Sequence, residues 1–184
     1  MPLGTQFPSV LSAARAGCEW ALAALYRELQ PSLLRYLRGQ AGSEAEDIAA
    51  EAWIHAARGL SRFEGDESAF RAWLFTIAHR RLVDFRRRSE RRREELRPVD
   101  AFADETLARE PVAEPWSDLG LDVLAALPPL QAEIVLLRVI GGFDSNEVAR
   151  IVGKRPGTVR VLQKRALERL ADVLSESSTE VVTR

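Results

Sequence analysis

The chain has 184 residues, 46% of them hydrophobic, with 11 Gly and 9 Pro. That is enough apolar material to bury one ordinary domain or two small ones, and it excludes collagen-like and low-complexity chains. The formal net charge of −1, read as an average, argues against a nucleic-acid partner, and no apolar run approaches the roughly 18 residues of a membrane helix.

Met1–Gly17 carries neither the basic start nor the apolar core of a signal peptide. The single cysteine, Cys18, cannot form an internal disulfide or a cysteine-rich metal site. Both features predict a soluble protein of a reducing, cytoplasmic compartment without membrane insertion.

Residues 1–18 read as an N-terminal extension. Beyond them apolar residues recur with helical spacing: Leu22, Leu25, Tyr26, Leu29, Leu33 and Leu37; then Ala49, Ala52, Trp53, Ala56, Leu60 and Phe63; then Phe70, Trp73, Leu74, Ile77 and Ala78. Three main helices are predicted. Pro31 is expected to bend or restart the first, and Gly39 and Gly42 to end it. Glu64–Ser68 makes a short polar loop before the third, which runs over Ala69–Arg88. The stretch 96–118, interrupted by Pro98, Pro111 and Pro115, reads as a flexible linker. After it, Leu121, Leu124 and Leu127 lead to Pro128-Pro129, and a helix carries Leu130, Ile134 and Leu137 up to Gly141-Gly142. Two further helices follow. Ser145 is placed to cap the first and Gly153 to end it, while Pro156 suits the first turn of the second, which runs to about Leu174. The tail 175–184 reads as polar and frayed. Nothing alternates as a strand would, so the expected architecture is all-α: two small helical domains, 19–95 and 119–174, on an acidic tether.

Charge is not evenly spread. From His79 to Arg97 nine Arg stand against four acids, a balance of +5; from Pro98 to Ala126 seven acids stand against Arg109, giving −6; from Arg150 to Arg169 seven cations stand against Glu168, giving +6. Two basic segments therefore flank one acidic stretch, and each is a candidate polyanion surface.

The last two helices have the requirements of a helix-turn-helix. Ala149 is the small residue at the helix contact, Gly153 lies in the turn, and Val148, Val152, Val159 and Leu162 fall where the interface needs apolar side chains. Arg155, Thr158, Arg160 and Lys164 occupy the first turns of the second helix, where the positive helix end favours phosphate and arginine can read guanine bidentately. Farther upstream, His79, Arg80, Arg87 and Arg88 lie on or near one side of the third helix and could track phosphates. Phe63, Phe70, Trp73 and Phe75 surround the polar loop; base stacking on such rings is worth about 1–3 kcal/mol per base, but at this spacing they read chiefly as core.

Asp47, Glu51 and His55 share one face of the second helix, which invites a metal reading. The ligand count is too low, because di-metal bundles draw Glu and Glu-x-x-His ligands from four helices. Cys18 has no histidine nearby in sequence and no glycine-rich phosphate loop is present. No catalytic residue, metal or cofactor is assigned.

With these residues in place the chain resembles the extracytoplasmic-function (ECF) group of bacterial sigma-70-class initiation factors over roughly residues 20–172. The segment Ala45-Glu-Asp-Ile-Ala-Ala-Glu-Ala-Trp-Ile-His-Ala-Ala-Arg58 is similar to region 2.2. Phe70-Arg-Ala-Trp-Leu-Phe-Thr-Ile-Ala78, followed by Asp84 and arginines, is similar to the segment for the promoter minus-10 element. Leu127-Pro-Pro-Leu-Gln-Ala-Glu-Ile-Val-Leu-Leu-Arg138, with Glu147-Val-Ala149, Gly153 and Gly157-Thr-Val-Arg160, is similar to region 4.

The resemblance implies roles. Asp47, Glu51, Ile54, His55 and Arg58 would meet the clamp helices of bacterial core RNA polymerase. Glu64, Gly65, Asp66 and Ser68, with His79, Arg80, Arg81, Arg87 and Arg88, would meet the melted minus-10 strand, where a loop pocket beside a basic helix offsets the cost of extruding a base. Arg155, Thr158, Arg160, Lys164 and Arg165 would contact the minus-35 duplex, and the acidic linker would thread the RNA channel. An inhibitory anti-sigma factor is implied, as are a free monomer and promoters of the stress or envelope type. The chain departs from the family at Arg80, where Asn is common, and at Val161-Leu162-Gln163, where Ser-Arg-Leu is common; either Gln163 or Lys164 stands in for the missing arginine, or the helix sits differently on the duplex.

Other classes make different predictions. An autonomous helix-turn-helix regulator would bind duplex tightly as a dimer without polymerase, a helical metal enzyme would retain iron or manganese, and a structural bundle would show no salt-sensitive DNA affinity.

Overall fold

The structure, a computed structural model, describes residues 3–95 and 121–182. All regular elements among them are helical: α1 (Phe7–Arg15), α2 (Glu19–Ala41), α3 (Ala45–Gly59), α4 (Glu67–Glu95), α5 (Pro129–Val139), α6 (Ser145–Val152) and α7 (Pro156–Val182), with short 3-10 turns between some of them. The expected linker, 96–118, lies outside the described residues.

The N-terminal unit is built on α2, α3 and α4. The buried residues of α2 are Ala21, Leu25, Leu29, Leu33, Tyr36, Leu37 and Gln40, one stripe at three- and four-residue spacing. α3 lays a row of small residues, Ala45, Ala49, Ala52 and Ala56, against its neighbours, so the backbones approach closely. α4 inserts Phe70, Leu74, Phe75, Ala78 and Leu82.

Several boundaries differ from expectation. Pro31 does not restart a helix: α2 is continuous across it. Pro31 is exposed, so water can serve the carbonyl whose amide partner the ring removes, while Leu29 and Leu33, both buried, hold the register. Gly39 lies inside α2, which ends at Ala41 with Gly42 as its cap at φ +57°. The third predicted helix is longer at both ends than Ala69–Arg88. Residues 1–18 are not a mere extension, because α1 buries Phe7, Val10, Leu11 and Ala14 in the common core. Leu121–Ala126 is a 3-10 turn, and α7 continues to Val182, so the tail is helical to that point.

In the C-terminal unit every residue of α5 from Ala132 to Leu137 is buried. A helix covered all round needs partners on opposite sides, and α5 packs against both α2 and α7. α6 is capped by Asp144, not Ser145: its carboxylate accepts from the Asn146 and Glu147 amides, and Glu147 returns the bond to the Asp144 amide at 2.7 Å. Asp144 wins because it stands one residue before the first helical residue, the only position from which an oxygen reaches both amides. Gly153, at φ +66°, closes α6.

The two units touch. Phe143 stacks edge-on against Phe75 at 5.0 Å, Ser68 donates to Glu147 at 3.1 Å, and a Cβ on Gly39 would stand 2.8 Å from a Leu136 methyl.

Candidate nucleic-acid interface

Three surfaces collect the residues singled out in the sequence. On α3, Asp47, Glu51, Ile54, His55 and Arg58 are all exposed and share one helix face, opposite the buried alanines. Ile54 is 51% exposed, unusual for an isoleucine amid charged neighbours, and such a mixed face suits a protein partner better than a cation. Among the described residues no group of three or more His, Cys, Asp or Glu is placed to hold a metal ion.

The second surface is the loop before α4. Asp66 caps the helix, its Oδ1 accepting the Ala69 amide at 2.8 Å. Gly65 sits at φ +150°, and a Cβ there would lie 2.8 Å from the Ala69 Cβ, so only glycine fits without strain. Glu64, Gly65, Asp66 and Ser68 are exposed, with Ser68 engaged by Glu147. Beneath them Phe63 meets Phe70 edge-on at 5.2 Å and Trp73 at 5.0 Å. Phe63, Phe70 and Phe75 are buried core residues, whereas Trp73 is half-buried.

The arginines of α4 do not act as one group. Arg80, Arg87 and Arg88 are exposed; Arg81 is half-buried, 3.6 Å from Asp84. His79 instead points inward, its Nδ1 2.6 Å from Oε1 of Glu133, and Arg86 pairs with Gln40 and lies 3.7 Å from Oε2 of Glu133. Tyr36 donates to the same Oε1 at 2.5 Å. Glu133 is thus a buried carboxylate, 2% exposed, at the junction of α2, α4 and α5. Burial pushes its pKa up, but the hydrogen bond and charge of His79, the Tyr36 hydroxyl and Arg86 outweigh that and leave it below the ordinary carboxylate value. Burial, reinforced by the Glu133 charge, raises the Tyr36 hydroxyl well above its usual value. Sequence reasoning missed this cluster. Its signal was a lone carboxylate inside the apolar run Leu130–Leu137, which costs too much to bury unpartnered.

The third surface is the start of α7. Arg155, Thr158, Arg160, Lys164 and Arg165 are exposed, Gln163 is half-buried, and Val159 and Ala166 are buried beneath them. Lys164 lies 3.7 Å from Glu168, a solvated pair that leaves the ammonium accessible. Val161 is 51% exposed on this outer side. The side chains of α7 nearest its N-terminal end thus present a cationic face on a helix whose other side locks onto α6.

Residues 25–92 match the family described as Sigma-70 region 2, and residues 121–170 the family described as Sigma-70, region 4. The chain is 34% identical over 171 residues to the ECF RNA polymerase sigma factor BldN of Streptomyces coelicolor, covering 90% of this chain and 64% of that protein. It is 32% identical over 190 residues to the ECF RNA polymerase sigma factor SigD of Mycobacterium tuberculosis, covering 92% of this chain and 84% of the relative. The fold is similar to that of the sigma factor RpoE of Bartonella quintana, solved with the anti-sigma factor NepR, with a TM-score of 0.65 at 23% identity, over 82% of this chain and 94% of that one. Two Sigma-70 region matches in order, and 32% identity to a sigma factor of which 84% is covered, show the family: the chain belongs to the ECF RNA polymerase sigma factors.

Proposed function

We propose that this sigma factor binds bacterial core RNA polymerase through the α3 face of Asp47, Glu51, Ile54, His55 and Arg58, and directs initiation at promoters with two upstream elements, of the stress or envelope type. The loop residues Glu64, Gly65, Asp66 and Ser68, with Arg80, Arg81, Arg87 and Arg88, engage the melted minus-10 strand. Arg155, Thr158, Arg160, Gln163, Lys164 and Arg165 engage the minus-35 duplex. His79, held by Glu133 in the closed arrangement, joins the minus-10 surface only when α5 withdraws.

One observation carries the reading: exposed arginines on α4 and an exposed cationic face on α7 occur in one chain with an α3 face of mixed charge and exposed isoleucine. Positive faces at two points of a chain with net charge −1 fit two phosphate contacts better than general polyanion affinity. The chain supplies recognition and strand capture while the polymerase performs the chemistry, so it is not itself an enzyme, and its place of action is the cytoplasm. Among the described residues no helix is long and apolar enough to cross a membrane. An anti-sigma factor holds it inactive, as NepR is bound to RpoE in the similar structure.

The experiment mixes the purified chain with core polymerase and genomic fragments and maps transcript starts. Defined starts sharing a bipartite upstream motif are expected. Tight duplex binding without polymerase, and no new starts with it, would overturn the proposal in favour of an autonomous regulator.

A further inference from the structure

We infer that the N-terminal segment, residues 3–15, is a brace that sets the shape of the loop Glu64–Ser68, with Glu67 as its positioning residue. The inference rests on the loop being the minus-10 reader proposed above. The brace lies outside residues 25–92 that match Sigma-70 region 2.

Glu67 opens α4, yet its carboxylate is turned away from that helix. Its Oε1 accepts the Leu3 backbone amide and its Oε2 the Gly4 backbone amide, each at 2.8 Å. Charge-assisted bonds of this kind are about twice as strong as neutral ones, and two together fix a direction as well as a distance. α1 follows at once and is anchored in the core: Phe7 is buried, and its ring lies 5.9 Å from that of Phe70. Glu67 is therefore tied to a segment that cannot drift.

Three consecutive residues of the loop are held in three different ways. Gly65 is fixed by its φ of +150° and the close approach of Ala69, Asp66 by its cap on the Ala69 amide, and Glu67 by the brace. A groove of about 1360 Å³ opens beside the loop. Gly4, Phe7 and Arg15 of the N-terminal segment border it, and so do Arg27 and Arg35 of α2. The brace thus forms part of the wall of this groove, which Glu64 and Asp66 of the loop also line.

Discrimination between bases depends on donor and acceptor placement, and a loop free to sample several shapes accepts several bases. With both carboxylate oxygens occupied by backbone amides, Glu67 acts on selectivity through the loop and not by touching DNA. If α1 served only to bury apolar surface, loss of Glu67 would lower stability and leave base preference unchanged.

The test transcribes a promoter library, randomised over the upstream region, with core polymerase and the full chain, and compares minus-10 base preference among variants. Glu67→Ala, and separately deletion of residues 1–6, are expected to lower the ratio of preferred to disfavoured minus-10 bases by about fivefold, with minus-35 preference and core affinity unchanged. Glu67→Gln, which keeps one acceptor oxygen, should fall between. Amide hydrogen exchange without DNA should speed up over residues 63–70 in both, while the thermal midpoint shows the variants folded. An unchanged preference in Glu67→Ala and in the deletion, alongside a changed one in Glu64→Ala or Ser68→Ala, overturns the brace and leaves the loop as reader. Unchanged preference in Glu64→Ala and Ser68→Ala overturns the loop reading and the brace's role in selectivity with it.

Discussion

Tyr36 on α2 and Glu133 on α5, 97 positions apart in sequence, share a hydrogen bond of 2.5 Å with no exposure of the tyrosine to solvent. His79 joins the same carboxylate oxygen from α4. One buried acid thus ties the N-terminal unit to the C-terminal one, and the tie is polar where the surrounding contact is apolar. Tyr36→Phe removes one donor to a buried charge and is expected to cost about 1–3 kcal/mol in denaturant unfolding. Glu133→Ala, which strands Tyr36, His79 and Arg86 together, should cost about 3–5 kcal/mol and expand the free chain in small-angle scattering.

The same cluster sets limits with pH. The Glu133 pKa is lowered in the folded chain, so its contribution is present above the ordinary carboxylate value near about 4.3 and is lost as pH falls through the folded value. Tyr36 has the opposite sign: its raised value gives stability that is full below about 10 and is lost as pH rises beyond that. Stability measured against pH should therefore fall at both ends, and the alkaline decline should be smaller in Tyr36→Phe.

Gly65→Ala should be destabilising by about 1–3 kcal/mol, because the backbone conformation is one that side chains rarely adopt and Ala69 stands in the way. Thermal melting checks this. Loss of minus-10 opening on a promoter that wild type melts would accompany it.

Within the helix-turn-helix the Asp144 carboxyl is held below its usual pKa, chiefly by the Glu147 backbone amide. Asp144→Ala should lower the melting temperature and speed amide exchange in α6, while Asp144→Asn should recover most of the loss, since asparagine caps as well as aspartate.

Arg160 is exposed on the cationic face of α7. Arg160→Ala should weaken promoter binding by the holoenzyme and reduce the slope of log affinity against log salt by about one. Titration at several salt concentrations decides it. On α3, Glu51→Arg should weaken assembly with core polymerase while the melting curve stays unchanged.

Helix type, order and charge were legible along the chain because they are written at short range. Apolar spacing of three and four residues named Leu25, Leu29, Leu33 and Leu37 of the α2 core and Phe70, Leu74 and Ala78 of the α4 core, though it also included Tyr26, which is exposed, and missed Tyr36 and Leu82. Gly153 and Pro156 marked the turn, and the arginine excesses of the two basic segments needed no fold to be seen. Contacts between distant positions were not legible. Nothing near Glu133 in sequence names Tyr36 or His79, and nothing near Glu67 names Leu3 and Gly4. A restart at Pro31 was the wrong expectation because local preference ignores the burial of Leu29 and Leu33 on either side, which keeps the helix continuous. His79 read as one of a basic row, yet a carboxylate 54 positions away turned it inward. Periodicity and charge belong to the chain itself. Which polar groups are buried together, and so which arginines remain exposed, is decided only when helices pack and desolvation forces each buried charge to find its partner.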